Sequence, residues 1–368
     1  MEWKPVIDVF IGTKAQYIKT APLLRLMTEQ GMDYRLIDSG QHAAFAPALR
    51  RNLGVKEPDI CLADDGDIAS VPAALYWMIK QILTALFRPA YLREEVFSAD
   101  STYCVIHGDT PSTFISLVMA KRAGKRVAHL ESGLRSFRWY RPFPEEMIRQ
   151  LCTRYCDLLF APSDWAEENL KQMKVRGKII NIGQNTNVEA MQYSLERATD
   201  TLDRGSPYAL VTLHRVETIL RRSRLAFATS LIQDLASARR VIFVLHPPTE
   251  HKLRDFGLME SLSGLENLHM EPLMDHGRFL VLLRGAEFVI TDGGSIQEEA
   301  YYLDTPCLVL RSETERREGL GGNVVMGDFD KGVIQDFLQH YGHYRSGQAI
   351  GSKLPSQRVL DSLRNEQQ

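Results

Sequence analysis

Residues 103–132 read YCVIHGDTPSTFISLVMAKRAGKRVAHLES, which is the pattern of a strand, a helix and a second strand in succession. The segments 103–109 and 126–132 are short and apolar, as buried strands are. Thr110 and Pro111 follow the first of them and are residue types that open helices. Two strands joined through a helix lie parallel in one sheet, with helices on its faces. The stretch therefore predicts an α/β fold built on a parallel sheet.

The same alternation extends over the rest of the chain. At 368 residues the chain is long for a single core, which favours two domains. A polar segment that ends in Gly-Ser-Pro, residues 199–207, is the best linker or hinge between them. We predict two Rossmann-like domains with parallel sheets facing an interdomain cleft. Further buried strands are expected at 5–12, 34–40, 157–163, 208–214, 240–246, 288–294 and 306–311.

Composition narrows the class of protein. The chain is 44% hydrophobic and 24% charged with a formal net charge of -2, which is typical of an ordered globular protein. Charge this near to neutral gives no general attraction to nucleic acid or to anionic lipid. The apolar segment 71–87 is interrupted by Lys80 and Gln81 and is short for a bilayer span, so it predicts a buried helix or a dimer surface. We expect no nucleic-acid partner and no membrane insertion.

The N-terminal residues and the cysteines predict a cytoplasmic location. MEWKPVIDVF runs directly into a strand without the regions of a signal peptide. The five cysteines are an odd number without a CxxC spacing, and Cys152 and Cys156 are one helical turn apart. Reduced, buried thiols fit better than a metal site or a redox pair.

Polar residues gather just after the predicted strands, where ligands bind in parallel α/β sheets. In the first half, Lys14 and Lys19 follow strand one and suit a phosphate, although the segment also fits a plain strand-to-helix loop. Asp109 and Glu131 end two neighbouring strands, and Glu145 and Glu146 open a helix, so these carboxylates are candidates for catalysis. Carboxylates at a helix start can also simply complement the helix dipole, and for Glu146 this alternative stays open. A simple N-cap role for Asp109 stays open.

The second half offers groups that suit a phosphate. His214 with Arg215 follows one strand and His246 follows the next, where a pyrophosphate or a leaving group could be held. Backbone N–H groups at a Gly-rich helix start can cradle a phosphate, and a carboxylate further along suits ribose hydroxyls. A tight turn alone would also explain the glycines. The residues concerned are Gly293, Gly294, Ser295 and Glu299.

The sequence lacks the motifs that are typical of several other kinds of site. No Gly-x-Gly-x-x-Gly follows strand one and no P-loop is present, which weakens a dinucleotide oxidoreductase and an NTPase. The acidic run DDGD at 64–67 fits a solvated turn better than a metal site. No His or Cys spacing predicts zinc.

Taken in order, these motifs resemble the UDP-N-acetylglucosamine 2-epimerase family over nearly the whole chain. The motifs are GTKAQYIKTAPL, HGDT, HLESGLRS, FPEE, TLHRVET, the histidine of VLHPP, TDGGSIQEEA and LRSETERREG. The resemblance implies a glycosyltransferase-B-like fold, with domains at 1–183 and 184–352 and a C-terminal helix at about 353–368 that packs back on the first domain. It also implies a homodimer that interconverts UDP-GlcNAc and UDP-ManNAc, a UDP-sugar substrate, and no added metal or nicotinamide cofactor.

The resemblance gives roles to the candidate residues. Asp109, Glu131 and Glu145 would stabilise positive charge on the sugar and move protons while UDP is eliminated and added back, and His214 would hold or protonate the departing phosphate. By the same resemblance Phe279 packs on uracil and Glu299 binds ribose. The substrate-binding set is Lys14, Lys19, Arg135, Arg215, His246, Phe279, Gly293, Gly294, Ser295, Glu299 and Arg316.

The chain departs from the family pattern at four places. GTKAQ replaces the usual GTRPE, so Lys14 keeps the charge of arginine but not its bidentate fork. The phosphate turn reads Gly-Gly-Ser where the family has Ser-Gly-Gly, and ERRE at 315–318 replaces ERPE. Gln41, Arg215 and His246 match parts of the family's activator site, whereas Ala44 replaces a polar residue.

Three alternatives to a non-hydrolysing epimerase stay open at the level of sequence. A hydrolysing epimerase would release UDP and a free mannosamine-type sugar. A retaining glycosyltransferase would share the fold and need an acceptor groove. A nucleotide-sugar binding protein would bind UDP without turnover. The sugar itself, GlcNAc or a modified 2-acetamido sugar, is not specified by the sequence.

Overall fold

The computed structural model describes residues 6–41, 46–63, 71–138, 144–198, 206–345 and 354–366. The chain divides into two compact units, one of residues Met1–Ala190 with Ser352–Gln368 and one of Met191–Gly351. The segments DDGD at 64–67 and most of the expected linker at 199–207 lie outside the described residues, as do Ala44 and Phe143 of the FPEE motif.

Within the described residues, unit 1 contains a seven-stranded sheet in the order β3-β2-β1-β4-β5-β6-β7, and every pair is parallel. The strands between the edge strands β3 and β7 bury nearly continuous apolar runs, as expected for a parallel sheet covered on both faces. Their bounds are β1 Val6–Ile11, β2 Tyr34–Asp38, β3 Ile60–Cys61, β4 Ser101–His107, β5 Arg126–Leu130, β6 Leu158–Ala161 and β7 Lys178–Asn181.

Helices cover both faces of this sheet and form two apolar layers. The first begins after Thr13, whose side chain and that of Gln16 cap each other's backbone N–H groups. The helices are α1 Lys14–Glu29, α2 Ala46–Leu53, α3 Val71–Phe87, α4 Pro89–Tyr91, a π-helical turn Leu92–Val96, α5 Pro111–Arg122, α6 Glu145–Tyr155, α7 Asp164–Gln172 and α8 Asn187–Arg197, the last of which spans the division.

Unit 2 repeats the architecture with a six-stranded sheet, counted over its described residues. The order is β10-β9-β8-β11-β12-β13 and all pairs are parallel. The strands are β8 Tyr208–Leu213, β9 Arg240–Leu245, β10 Leu268–Pro272, β11 Phe288–Thr291, β12 Cys307–Val309 and β13 Val324–Met326. The helices are α9 Val216–Ile219, α10 Arg222–Ala238, α11 Pro247–Asp255, α12 His276–Gly285, α13 Gly294–Tyr302 and α14 Lys331–His340, followed by a 3₁₀ turn Tyr341–Tyr344.

A last helix, α15 Pro355–Asn365, returns to unit 1. Val359, Leu360 and Leu363 are fully buried in the same apolar layer as Leu23 and Leu24 of α1. Ser356 donates to the carboxylate of Glu189 from both its N–H and its hydroxyl group. The C-terminal segment of the chain thus completes a core that the N-terminal half begins.

The fold class predicted from sequence, α/β with two doubly wound parallel sheets, is confirmed. All nine expected strands are present, several of them shorter than predicted. The sequence did not indicate the edge strands β3, β7, β10 and β13, which are short or partly exposed and lack a long apolar run.

The apolar segment 71–87 forms α3, which is buried only along one side. Trp77, Gln81 and Ala85 face the core, whereas Leu75, Ile79 and Leu83 are about half exposed. No helix in the described part of the chain is both long enough and apolar enough to cross a membrane.

Candidate active site

The topology places one ligand-binding edge in each sheet. In unit 1 the strand order reverses between β1 and β4, and in unit 2 it reverses between β8 and β11. Ligands of doubly wound sheets bind at such switch points, beyond the carboxyl ends of the strands. The loops after these four strands carry Lys14, Asp109, His214 and Gly293.

Glu131 stands directly after β5 with its carboxylate buried among polar partners. Its Oε1 accepts hydrogen bonds from Lys19 Nζ at 2.8 Å and Asn185 Nδ2 at 2.7 Å. His107 Nε2 lies 3.7 Å from Oε2. The backbone of Glu131 is left-handed, with φ at 62°, a conformation that non-glycine residues seldom adopt and that concentrates at functional sites. Lys19, expected at a phosphate, thus lies against the carboxylate of Glu131.

Asp109 is oriented by an arginine that the sequence analysis did not single out. Arg149 on α6 pairs through Nη2 with Asp109 and through Nη1 with Glu146, the second at 2.6 Å. The arginine side chain is 3% exposed and that of Asp109 is 28% exposed. The N-cap of α5 is Thr110, so the interpretation of Asp109 as the cap is wrong. The carboxylate of Asp109 reaches solvent while its direction is set from the buried side.

The loop before Asp109 is held by the amide of Gln16. Gln16 Nε2 donates to the carbonyl of His107 at 2.7 Å and to Thr113 Oγ1 at 2.9 Å, while its Oε1 accepts from the N–H of Gly12 at 2.6 Å. Gln16 therefore joins the loop after β1 to the loop after β4. Lys14, two residues earlier, is the partly exposed first residue of α1.

His129 holds the next carbonyl of the same loop. Its Nε2 lies 2.7 Å from the carbonyl of Gly108, and Ser132 Oγ lies 2.7 Å from Nδ1. Complete burial lowers the pKa of His129, which favours a neutral ring that donates to Gly108 and accepts from Ser132. Gly108 has φ at 71°, so the turn into Asp109 requires a left-handed residue there.

Arg135, a predicted substrate ligand, and Glu146 at the start of α6 lie in one ion-pair network. Glu146, fully buried, accepts from Arg135 Nε at 2.6 Å and from the N–H of Ser136 at 3.1 Å. The guanidinium of Arg135 also lies 5.3 Å from the ring centre of Phe137. Glu145 is the first residue of α6 and is half-buried. Asp109 and Glu146 thus both pair with Arg149, and Arg135 pairs with Glu146. Glu145 is the neighbour of Glu146 in sequence.

In unit 2 the carboxylate of Asp292, after β11, organises the loop after β8. It accepts from the N–H of His214 at 2.9 Å and from the N–H of Arg215 at 3.1 Å. The ring of His214 stacks on that of His246 with centres 4.7 Å apart. The two histidines, which follow neighbouring strands in the sheet, therefore form one surface.

The pKa of His214 is lowered. Burial is the main cause; Asp292 acts in the opposite direction, and the positive charges of Arg215 and Arg311 lower it further. A neutral imidazole at neutral pH follows, with Nδ1 3.7 Å from Asp292. An anion bound beside the ring would raise this pKa and favour the protonated form.

The Gly-Gly-Ser turn lies against His214. A Cβ at Gly293 would come within 2.5 Å of His214 Cε1, so a larger residue there would displace the ring of His214. The N–H of Gly293 donates to Thr291 Oγ1 at 3.0 Å. Since α13 begins at Gly294, the N–H groups that a helix leaves without internal partners are those of Gly294, Ser295 and Ile296. These N–H groups are the donors that the turn offers to an anion.

Arginines and glutamates alternate behind this turn. Arg316 Nη1 pairs with Glu298 at 2.8 Å, and both residues are buried. Glu315 lies 3.4 Å from Arg311 and 3.6 Å from Arg215. The predicted ligand Arg316 thus supports the turn from behind, close to Gly294.

The last two predicted binding residues, Phe279 and Glu299, lie on α12 and α13, which pack together. Glu299 is buried and lies 3.1 Å from His276 Nε2. Phe279 is partly exposed, one turn further along α12.

Sequence reasoning missed Gln16, Arg149, Asp292 and His276. Of these, only Asp292 carried a local signal, since it stands beside the glycine pair.

Comparison with known proteins identifies the family. The model of the UDP-N-acetylglucosamine 2-epimerase family matches residues 25–348. The UDP-N-acetylglucosamine 2-epimerase of Methanocaldococcus jannaschii is 27% identical, covering 94% of this chain and 97% of the relative. The UDP-2,3-diacetamido-2,3-dideoxy-D-glucuronate 2-epimerase of Pseudomonas aeruginosa is also 27% identical, covering 97% and 99%.

A solved structure agrees with the sequence comparison over the full length. The Methanocaldococcus jannaschii UDP-GlcNAc 2-epimerase in complex with UDP-GlcNAc and UDP is similar at a TM-score of 0.83, with 26% identity and coverage of 98% of this chain and 99% of that one. The chain belongs to the UDP-N-acetylglucosamine 2-epimerase family.

Proposed function

We propose that this chain is a non-hydrolysing isomerase that inverts C2 of a UDP-2-acetamido sugar and interconverts UDP-GlcNAc and UDP-ManNAc. The observation that carries the proposal is the pair of acids at adjacent strand ends, Asp109 and Glu131, in a chain of this family. The family match favours neither a glycosyltransferase nor a protein that only binds nucleotide sugars.

The chemistry explains why acids are needed. The C2 proton of the sugar is not beside a carbonyl, so direct deprotonation is unfavourable. In an elimination, the C1–O bond breaks, its electron pair leaves with UDP, and the C2 proton passes to a base, which gives a 2-acetamidoglucal. Addition of UDP to C1 and of a proton to the opposite face of C2 completes the inversion. Positive charge builds on the ring at the first step, and carboxylates stabilise it.

We assign this work to Asp109, Glu131 and Glu145 of unit 1. Lys19 and Asn185 support a charged Glu131, since both donate to it. Arg149 orients Asp109 while leaving its carboxylate partly exposed. Proton transfer by positioned groups of this kind is worth roughly 100-fold to 10,000-fold in rate.

We assign the UDP moiety to the switch point of unit 2. The first N–H groups of α13 suit a phosphate, and a phosphate bound beside His214 would raise the pKa of the ring, so that the protonated ring can donate to the oxygen that leaves C1. Arg215 and His246 flank the same loop, Phe279 would pack on uracil and Glu299 would accept from ribose. Lys14, at the start of α1 in unit 1, is a further candidate phosphate ligand.

Proton NMR of the purified protein with UDP-GlcNAc in deuterated water tests the proposal. We expect deuterium at C2 and the appearance of UDP-ManNAc without net release of UDP. Free ManNAc with an equal amount of UDP would assign a hydrolysing epimerase instead. If UDP binds but no exchange occurs, the same experiment with other UDP-2-acetamido sugars decides whether the substrate is a modified sugar. Absence of UDP binding would refute the nucleotide site.

We also propose that the protein is a homodimer and that α3 contributes to the interface. Leu75, Ile79, Leu83 and Leu86 recur at helical spacing and are about half exposed, and such a stripe is unusual on the free surface of a monomer. Light scattering of the purified chain should give the mass of two copies. A Leu83→Asp variant should give the mass of one; dimers in that variant would place the interface elsewhere.

A cytoplasmic location is the last part of the proposal. All five cysteines are free thiols, as is usual in a reducing compartment, and the thiols of Cys104, Cys152, Cys156 and Cys307 are buried. Fractionation of cells that express a tagged chain would test it.

A further inference from the structure

Where α12 packs on α13, a short chain of polar groups links Ser194 of α8 through His276 to Glu299. Ser194 Oγ lies 3.0 Å from His276 Nδ1, and His276 Nε2 lies 3.1 Å from Glu299 Oε1. The side chains of His276 and Glu299 are 9% and 7% exposed, and Ser194 is also buried. All three residues belong to unit 2.

The order of donors in this chain follows from the chemistry of the end groups. An ionised carboxylate only accepts, so Nε2 of His276 carries the proton that bonds Glu299. In a neutral ring Nδ1 is then an acceptor, and the hydroxyl of Ser194 donates to it. One oxygen of Glu299 is thereby fixed in place by a buried donor, and the direction of the other oxygen is set with it.

The position of Glu299 relates it to the nucleotide. Glu299 is five residues after Gly294, about 7.5 Å along α13 from the N–H groups that would hold a phosphate. Phe279, assigned to uracil, is three residues after His276 and therefore on the same face of α12. A ribose that joins this phosphate to this base would pass beside Glu299.

We propose that His276 is a positioning residue that makes Glu299 a selective acceptor for the ribose hydroxyls, so that the site prefers UDP to deoxy analogues. The inference rests on the proposed function. Selectivity arises because a buried, oriented carboxylate loses a hydrogen bond when the ligand lacks the hydroxyl, and water replaces that bond poorly in an enclosed site. Without the histidine, the carboxylate is free to turn away from the ribose.

Isothermal titration calorimetry with UDP, 2′-deoxy-UDP and 3′-deoxy-UDP measures this selectivity. The wild-type protein should bind at least one deoxy nucleotide about 10-fold more weakly than UDP, the usual effect of one hydrogen bond to a charged group. In His276→Leu the ratio of the two Kd values should fall to near one. His276→Gln, which retains a donor near the position of Nε2, should recover part of the ratio.

Two further variants separate the outcomes. Glu299→Gln should lower the same ratio, whereas His251→Leu, which alters a histidine with a 73% exposed side chain on α11, should leave it unchanged. If His276→Leu weakens UDP and both deoxy nucleotides equally, the histidine has only a structural role and the inference is wrong. If Glu299→Gln changes the ratio and His276→Leu does not, Glu299 binds the ribose but His276 does not position it, and the inference is wrong. If the wild type binds no UDP, the proposed function and the inference fail together.

Discussion

The ligand-binding edges of the two units share a strand topology, but the charges of their predicted functional groups and of the groups that support them are reversed. At the edge of unit 1 the predicted functional groups are acids, and cations support them from the buried side, as Lys19 does for Glu131 and Arg149 for Asp109. At the edge of unit 2 the predicted functional groups are N–H groups and a histidine, and an acid, Asp292, accepts hydrogen bonds from the loop that carries the histidine. The first arrangement suits positive charge and protons, and the second suits an anion. The same doubly wound fold can therefore stabilise either of the two parts that separate in the elimination, the sugar with its positive charge or the UDP anion.

The largest expected effect comes from removing the acids of unit 1. Glu131→Gln and Asp109→Asn should each lower kcat by about 100-fold to 10,000-fold, because each removes a carboxylate that moves protons or stabilises charge. UDP affinity should hardly change, because the proposed nucleotide contacts other than Lys14 lie in unit 2. Deuterium exchange at C2 and calorimetry with UDP measure the two effects. The exposed residue Glu168 on α7 provides the control Glu168→Gln. An equal loss of UDP affinity and rate would contradict the division of labour between the edges.

A second test removes Arg149, which orients Asp109, and leaves Asp109 itself in place. Arg149→Met removes one of the two cations that bond the buried Glu146 and leaves Arg135 as the other, which should cost about 1.5–3 kcal/mol of unfolding free energy, as for a lost hydrogen bond to a charged group. It should also lower kcat, because Asp109 loses its orientation. Urea denaturation measures the free energy, with Arg154→Met as the exposed control on the same helix. A stable variant with full activity would show that the arginine does not orient Asp109.

A third test uses an acid of unit 1 that is buried away from the edge. Burial raises the pKa of Asp8 from 3.8 to about 6, although hydrogen bonds from Ser101 and Ser98 act against it. The folded state then binds the proton more tightly than the unfolded state does. Stability should fall as pH rises from about 4 to about 6 and stay lower above that, by up to about 3 kcal/mol at 1.36 kcal/mol per pKa unit.

Asp8→Asn should remove this dependence and stabilise the protein at pH 7. Urea denaturation at pH 5 and pH 7 measures it, and the exposed residue Asp234 supplies the control Asp234→Asn. If the two variants change with pH in the same way, Asp8 is not the group that titrates.

The smallest expected effect comes from changing Asp292, the acid that supports the loop after β8 in unit 2. In Asp292→Asn one of the two backbone N–H groups of His214 and Arg215 would face an amide N–H in place of an oxygen. UDP affinity should fall roughly 10-fold, as for one poorly satisfied hydrogen bond. Calorimetry checks this against Asp255→Asn on the surface of α11. Unchanged affinity in Asp292→Asn would place the phosphate elsewhere.

The sequence was sufficient for the fold and the family because both depend on patterns that repeat along the chain. Buried parallel strands leave apolar runs, and the motifs after them fall at strand ends for topological reasons, so Asp109, Glu131 and His214 could be chosen before the structure was known. The partners of those residues could not. Arg149 is 40 residues from Asp109 and Asp292 is 78 residues from His214, and such pairings arise only when the sheet assembles. The left-handed backbone of Glu131 also has no signature in the sequence.

The return of α15 to unit 1 has a consequence for synthesis on the ribosome. Every residue of unit 2 is translated before Val359, Leu360 and Leu363, which complete the apolar layer beside α1. Unit 2 is continuous in sequence and can fold as it emerges, whereas unit 1 must wait, with part of its core uncovered, until the final helix leaves the exit tunnel. The N-terminal half is made first and finished last, so a nascent chain stalled before residue 354 would present an open apolar surface to chaperones and proteases.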